Sequence, residues 1–239
     1  MKTALFIIIV LLSGCFAGMI YGGLNLVIVE PYLDDAINIE NQNLFSAGEE
    51  TDGPQFWVEY YEYRSWQKGG EMLAGAIFGI SIGSLFGIVY ALSKKSLPSK
   101  NNISKTLILA GLMWFTLFVI PFLKYPANPP TVGDGETVVL RGILYLTLIA
   151  ISGLMAIGFY QIFKRLKNKN RVLPIIGYSM LMCIVFFIMP DNPDKISTSM
   201  ELINGFRAVA FLTNTVFWFT LALLLGIFWQ KTNPDLSNT

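Results

Sequence analysis

Histidine is missing from all 239 residues, and charge is scarce: charged side chains make up 14% of the chain against 54% apolar. Cysteine occurs twice, as Cys15 and Cys183. Each shortage removes a class of function. Without imidazole there is no Ser-His-Asp triad, no histidine-bound zinc or haem, and no imidazole proton relay. Two cysteines so far apart in sequence build neither a disulfide framework nor a Cys-x-x-Cys metal site. A soluble globule needs about twice this share of charge to cover its surface. The net charge of +1 gives nucleic acid no electrostatic footprint. No glycine–lysine phosphate loop occurs, which excludes ATP hydrolysis by that route. No Cys, Asp or Glu constellation lies at catalytic spacing within the apolar segments, so the expectation is a non-enzyme without a resident cofactor.

What the chain has instead is length without charge. Six uncharged segments run over Ala4–Val29, Met72–Ser93, Thr106–Leu123, Gly142–Phe163, Val172–Pro190 and Ala208–Gln230. A hydrocarbon core about 30 Å thick takes roughly 20 residues of helix. In lipid each backbone N–H and C=O must be paired within its own segment, so each run predicts a helix. The short alternating strands of a membrane barrel are not seen. The predicted fold is all-α: a polytopic membrane protein of six transmembrane helices in three hairpins, forming one transmembrane domain over residues 1–239. Lys2, an apolar run and Leu12-Ser13-Gly14-Cys15 have the form of a lipoprotein signal. The sequence stays apolar through Val29, which favours an uncleaved first helix with Cys15 as a packing residue.

The charges sort the connections. With the amino terminus inside, the inner segments carry 11 basic residues and a single acid, Asp235. The outer segments carry 6 basic residues and 15 acids. Basic residues beside spans stay cytoplasmic, so both termini are expected inside the plasma membrane. The acids are then gathered on an outer face that attracts cations. Residues 30–71 form the largest outer segment, acidic and rich in aromatics. Within it Phe56-Trp57-Val58-Glu59-Tyr60-Tyr61-Glu62-Tyr63-Arg64-Ser65-Trp66 predicts an amphipathic helix at the headgroup level.

Gly14, Gly18 and Gly22 recur every four residues in the first span, and Gly75, Gly79, Gly83 and Gly87 do so in the second. Each series clears one helix face of side chains. The two faces are expected to cross closely, since helices in lipid associate through packing rather than hydrophobic drive. The three outward helices share an ending: Glu30-Pro31, then Pro121 onward to Pro130, then Met189-Pro190-Asp191-Asn192-Pro193-Asp194. Each returning helix has an arginine near its start, Arg64, Arg141 or Arg207. Proline is expected to break the helix here and free carbonyls.

Glu30 and Asp34 stand at i and i+4, on one face if the helix continues past Pro31. Asn128, Asp134, Asp191 and Asp194 come from the other two hairpin ends. Oxygen ligands of this kind suit hard or borderline divalent cations that keep some water. The alternative is that the three arginines pair with the acids and lock the outer ends together. The methionines of the spans read as adaptable packing rather than a soft metal path, and Cys183 as buried and inert.

Val29-Glu30-Pro31-Tyr32-Leu33, the run Lys124-Tyr125-Pro126-Ala127-Asn128-Pro129-Pro130-Thr131-Val132-Gly133-Asp134, and Met189-Pro190-Asp191-Asn192-Pro193-Asp194 followed by Phe206-Arg207 resemble the CbtA family. The resemblance runs along most of the chain, and the Lys-Tyr-Pro-Ala-Asn-Pro-Pro run is its specific part. It implies a multi-pass inner-membrane subunit assigned to cobalt uptake, with Co2+ as substrate. It also implies a small single-span partner of the CbtB type that carries histidine. It supplies no ligand set. The candidate metal ligands therefore remain Glu30, Asp34, Asn128, Asp134, Asp191 and Asp194. A non-transporting scaffold or anchor subunit of a larger complex is the competing expectation, because no acid lies in the span centres, where transport sites usually show one.

Overall fold

Apolar segments that must satisfy their own backbone become helices, and the structure, a computed structural model, is all-helical: among the described residues there is no strand. It describes residues 2–130, 132–167, 170–193 and 198–235. The helices are α1 (Thr3–Leu24), α2 (Glu30–Ala47), α3 (Pro54–Ser93), α4 (Asn102–Trp114), α5 (Ile120–Lys124), α6 (Val138–Arg165), α7 (Val172–Ile188) and α8 (Met200–Thr232). Among the described residues five continuous stretches are long and apolar enough to cross a membrane: Thr3–Ala47, Pro54–Ser93, Asn102–Lys124, Gly135–Arg165 and Met200–Thr232. The apolar α7 is shorter, with 17 residues.

Two of these stretches contain a joint the sequence reading took for an end. Pro31 and Pro121 do not terminate their helices. A five-residue π segment, Asn25–Val29, joins α1 to α2, and a second, Phe115–Val119, joins α4 to α5. In both the backbone shifts to an i→i−5 register: Glu30 N–H donates to the Asn25 carbonyl, and Ile120 N–H to the Phe115 carbonyl. The extra residue gives the proline ring room that a regular α-turn denies it. The helix then resumes with proline near its new start, where its fixed φ suits the first turn. Residues 30–71 are consequently mostly helix rather than loop. The aromatic segment 56–66 is no separate element. It is the opening of the 40-residue α3, which runs unbroken into the span. Gly48, at φ 73°, caps α2 in the left-handed conformation glycine tolerates best.

The chain forms two compact units. The first comprises Met1–Gly111, Pro129–Thr131 and Thr198–Thr239. Its centre is the crossing of α1 and α3, and the glycine faces meet as expected. A Cβ added to Gly14 or Gly18 would collide with the carbonyl oxygens of Gly79 and Gly75. One on Gly22 would come 2.6 Å from the Glu71 oxygen, and one on Gly83 would come 2.8 Å from the Gly14 Cα. Backbone thus lies directly on backbone, which dispersion and Cα–H···O contacts stabilise. α8 packs antiparallel to α1: Phe6 meets Trp229, Tyr21 meets Phe217 at 5.5 Å, and Tyr32 lies against Gly205. At the Trp229 end, Asp235 pairs with Lys94 and accepts from the Trp229 indole at 3.1 Å. Lys2 N–H donates to the Pro234 carbonyl at 2.8 Å.

The second unit comprises Leu112–Asn128 and Val132–Ser197. Ile120, Tyr125, Leu144, Leu148, Tyr178 and Met182 form its core. A polar node sits among them. The fully buried Ser152 hydroxyl donates to the Thr116 carbonyl at 2.6 Å and lies 2.8 Å from the Tyr178 hydroxyl. Thr116 is the residue whose carbonyl Pro121 would serve in the π register, had proline an N–H. Ser152 supplies the missing donor from the neighbouring helix. Met182 confirms methionine as packing here, but Cys183 is exposed on α7 and corrects the expectation of a buried thiol.

Candidate cation-binding site

The continuity of the helix past Pro31 decides the geometry of the first acids. It keeps Glu30 and Asp34 on one face, and α3 brings Arg64 and Lys68 opposite them. Arg64 pairs with Glu30, donates to the Asp34 carboxylate at 2.8 Å, and donates to the Gln67 amide oxygen at 2.7 Å. Lys68 binds the other Asp34 oxygen at 2.6 Å and stands 3.9 Å from Glu30. Glu30 and Arg64 are both buried, 5% and 7% exposed, so neither charge is sustainable without the other. Glu71, one helical turn beyond Lys68, lies beside Glu30.

The electrostatics follow from these contacts. Burial pushes the Asp34 carboxyl up, but the hydrogen bonds from Lys68 and Arg64 outweigh it and hold the group below its ordinary range. Burial would lower Arg64, yet Asp34 and Glu30 raise it instead. Among the described residues Glu71 makes no ion pair: burial and the neighbouring Glu30 carboxylate push it up, against a smaller opposing effect of Arg64. Burial also raises Tyr60. Two carboxyls, Glu30 and Asp34, thus meet two cations in one place, with Glu71 beside Glu30.

The remaining candidates lie in the second unit. Asp191 accepts from Lys124 at 2.7 Å and is held low by that lysine, although its own side chain is 97% exposed. The Tyr125 hydroxyl donates to the Pro190 carbonyl at 2.6 Å, which ties the Lys124-Tyr125-Pro126 run to the Met189-Pro190-Asp191 run. Asp134 starts a short helical turn: its carboxylate accepts from the Glu136 N–H at 2.9 Å. Its main-chain carbonyl accepts from Arg141 at 3.2 Å. Asn128 is half-buried. Asp194 lies outside the described residues. Among the described residues no three acid or thiol side chains gather closely enough to hold a metal ion. The pairing of acids with arginine, one of the two expectations, describes Glu30 and Asp34. For Asp191 the partner is a lysine instead. A cleft of about 320 Å³ between α4 and α8 is walled by Leu107, Thr215, Val216, Phe219, Thr220 and Leu223, too apolar for a cation.

Sequence reasoning missed Lys68, Glu71 and Lys124. The signal for the first two was present: Arg64, Lys68 and Glu71 fall at i, i+4 and i+7, one face of a helix, once α3 is read as continuous.

Long apolar helices and a glycine seam of the kind used in lipid define a polytopic membrane protein. The chain belongs to the CbtA family: the model described as probable cobalt transporter subunit (CbtA) matches residues 3–230. No curated protein and no solved structure matches the chain. Membership makes this a multi-pass membrane protein of cobalt transport.

Proposed function

We propose that the chain is the membrane body of a cobalt uptake transporter of the plasma membrane, with six spans and both termini in the cytoplasm. The acidic outer face gathers Co2+ as the transported substrate. Glu30 and Asp34 in the first unit, and Asp191 and Asp194 in the second, make separate first contacts with arriving ions, with Asn128 and Asp134 contributing in the second unit. The observation that carries this reading is the Glu30–Asp34 carboxyl pair beside the first proline joint, where a cation arriving from outside would compete with Arg64 and Lys68. The competition makes chemical sense. A divalent ion offers the buried carboxylates more charge than a lysine does, and Lys68 has the exposure to swing away. Membrane potential favours entry by about 2.3 kcal/mol per charge per 100 mV. The family description names a subunit, which supports a partner. A small single-span protein bearing histidine would add the imidazole this chain lacks.

The second reading is a scaffold that carries no ion, and Arg64 favours it, because the guanidinium already satisfies Glu30 and Asp34. Cells expressing the chain with and without a histidine-bearing partner, exposed to radioactive Co2+, decide between them. Uptake that rises with the chain and falls in Glu30→Gln with Asp191→Asn supports transport. Uptake that ignores the chain leaves the scaffold.

A further inference from the structure

The two proline joints are built alike and finished differently. At the second, Pro121 leaves the Thr116 carbonyl without its main-chain donor and Ser152 fills the gap. At the first, Pro31 leaves the Leu26 carbonyl in the same position, and among the described residues no side chain donates to it. One carbonyl is sealed and its counterpart is open.

The open one has company. Tyr21 packs on Phe217 at 5.5 Å, and α1 and α8 run antiparallel. Asn25 follows Tyr21 by four residues and Asn214 precedes Phe217 by three. Both therefore lie one turn from that ring contact, on the same side of it and on the faces that carry it. The Asn214 side-chain oxygen is inaccessible to solvent and has no hydrogen-bond partner among the described residues. Asn25 opens the π segment itself. Asn214 falls near the middle of the 33-residue α8, at span depth, where an unsatisfied acceptor costs more than at a surface. The joint ends at Glu30, so the carboxyl group described above is the next turn outward.

We propose that the Leu26 carbonyl, the Asn214 side-chain oxygen and the Asn25 side chain form an oxygen-lined station for a partly hydrated divalent cation inside the first unit, one step inward from Glu30. All three are oxygen donors, which suits hard or borderline divalent ions, and none carries charge, so the ion is held loosely enough to move on. Broken helices whose unwound carbonyls meet the ion are a recurring device of transporters, and this π segment supplies one without interrupting the helix. The station deepens the proposed transport function and rests on it.

The test uses the full chain in cells and radioactive Co2+ as probe. Asn214→Leu removes the side-chain oxygen at similar volume. Pro31→Ala returns an N–H to the Leu26 carbonyl and is expected to stabilise the helix while closing the station. Both are expected to lower uptake about tenfold or more at unchanged expression, Asn214→Leu at unchanged thermal stability and Pro31→Ala with stability raised. If the unsubstituted chain itself gives no uptake, the transport reading fails. If it takes up Co2+ and both variants keep that rate, the station fails and transport stands. Loss of uptake in Pro31→Ala together with loss of folding would also overturn the station, since the proline would then serve the fold alone.

Discussion

Replacing Ser152 by alanine removes a single hydroxyl and exposes what the second proline joint depends on. The Ser152 hydroxyl lies 2.6 Å from the Thr116 carbonyl and 2.8 Å from the Tyr178 hydroxyl, with no solvent exposure. Its loss leaves a buried carbonyl without a donor, which costs about 1–3 kcal/mol in a soluble core. Interhelical hydrogen bonds in membranes average about 0.6 kcal/mol and reach about 1.7, because the loosened state finds other partners. The expected loss for Ser152→Ala is therefore about 1–2 kcal/mol. The reasoning is sharper in combination. Pro121→Ala restores a backbone N–H five residues beyond Thr116, so the hydroxyl becomes redundant. In that background Ser152→Ala should cost less than about 0.5 kcal/mol, a coupling of the size double-mutant cycles resolve between interacting residues. Amide hydrogen exchange across Phe115–Tyr125 reads the local opening free energy directly, without assuming that the two units unfold together. Equal cost in both backgrounds would refute the claim that serine stands in for the missing proline donor. The Tyr178 contact would then be the part that matters.

Two further predictions concern the first unit. Gly18→Ala should abolish the close approach of α1 and α3, because the new methyl would strike the Gly75 carbonyl, while Gly70→Ala meets nothing within 4 Å and should leave stability equal or higher. Thermal unfolding of the two variants in detergent compares them directly. Acid and neutral stability should depend on different carboxyls. Asp34 is held low in the fold, so its contribution is present above its ordinary pKa and fades as pH falls through the lower folded value. Glu71 is raised, so the fold binds its proton more tightly and loses stability as pH climbs above the ordinary glutamate range. Denaturation midpoints between about pH 3 and 8, in chelator, should therefore show Glu71→Gln gaining on the parent chain with rising pH and Asp34→Asn losing to it. The same slope in both variants would disprove the assignment.

Much of this was readable in advance because lipid imposes few solutions. Charge-free runs mark the helices, and the four-residue glycine spacing marks the seam, since only a bare face lets two backbones touch. The prolines were harder. Nothing in the residue types announces that a helix will insert one extra residue and continue, and the local rule that proline ends a helix is ordinarily sound. The outer part of α3 was hidden for another reason. Gly69-Gly70 and the mixed charges of residues 59–71 break the hydropathy pattern, while helical geometry only requires that backbone bonds continue. Reading Arg64 as the partner of Glu30 and Asp34 needed one side chain. Finding Lys68 and Glu71 needed the helix that aligns them. The Lys124–Asp191 pair joins sequence positions 67 residues apart, and no local pattern points across that distance.

In the first unit the arms of the hairpin are mechanically unequal. One arm bends at a fixed place, Asn25–Val29, while α3 holds neither proline nor π segment between Gln55 and Ser93. At 1.5 Å per residue its 40 residues make a rod about 60 Å long. Arg64 lies in the outer half of that rod and Tyr90 is buried near its far end, so one unbroken helix fixes the spacing between them. The straight arm keeps its residues in fixed register, and the other arm changes register at its joint.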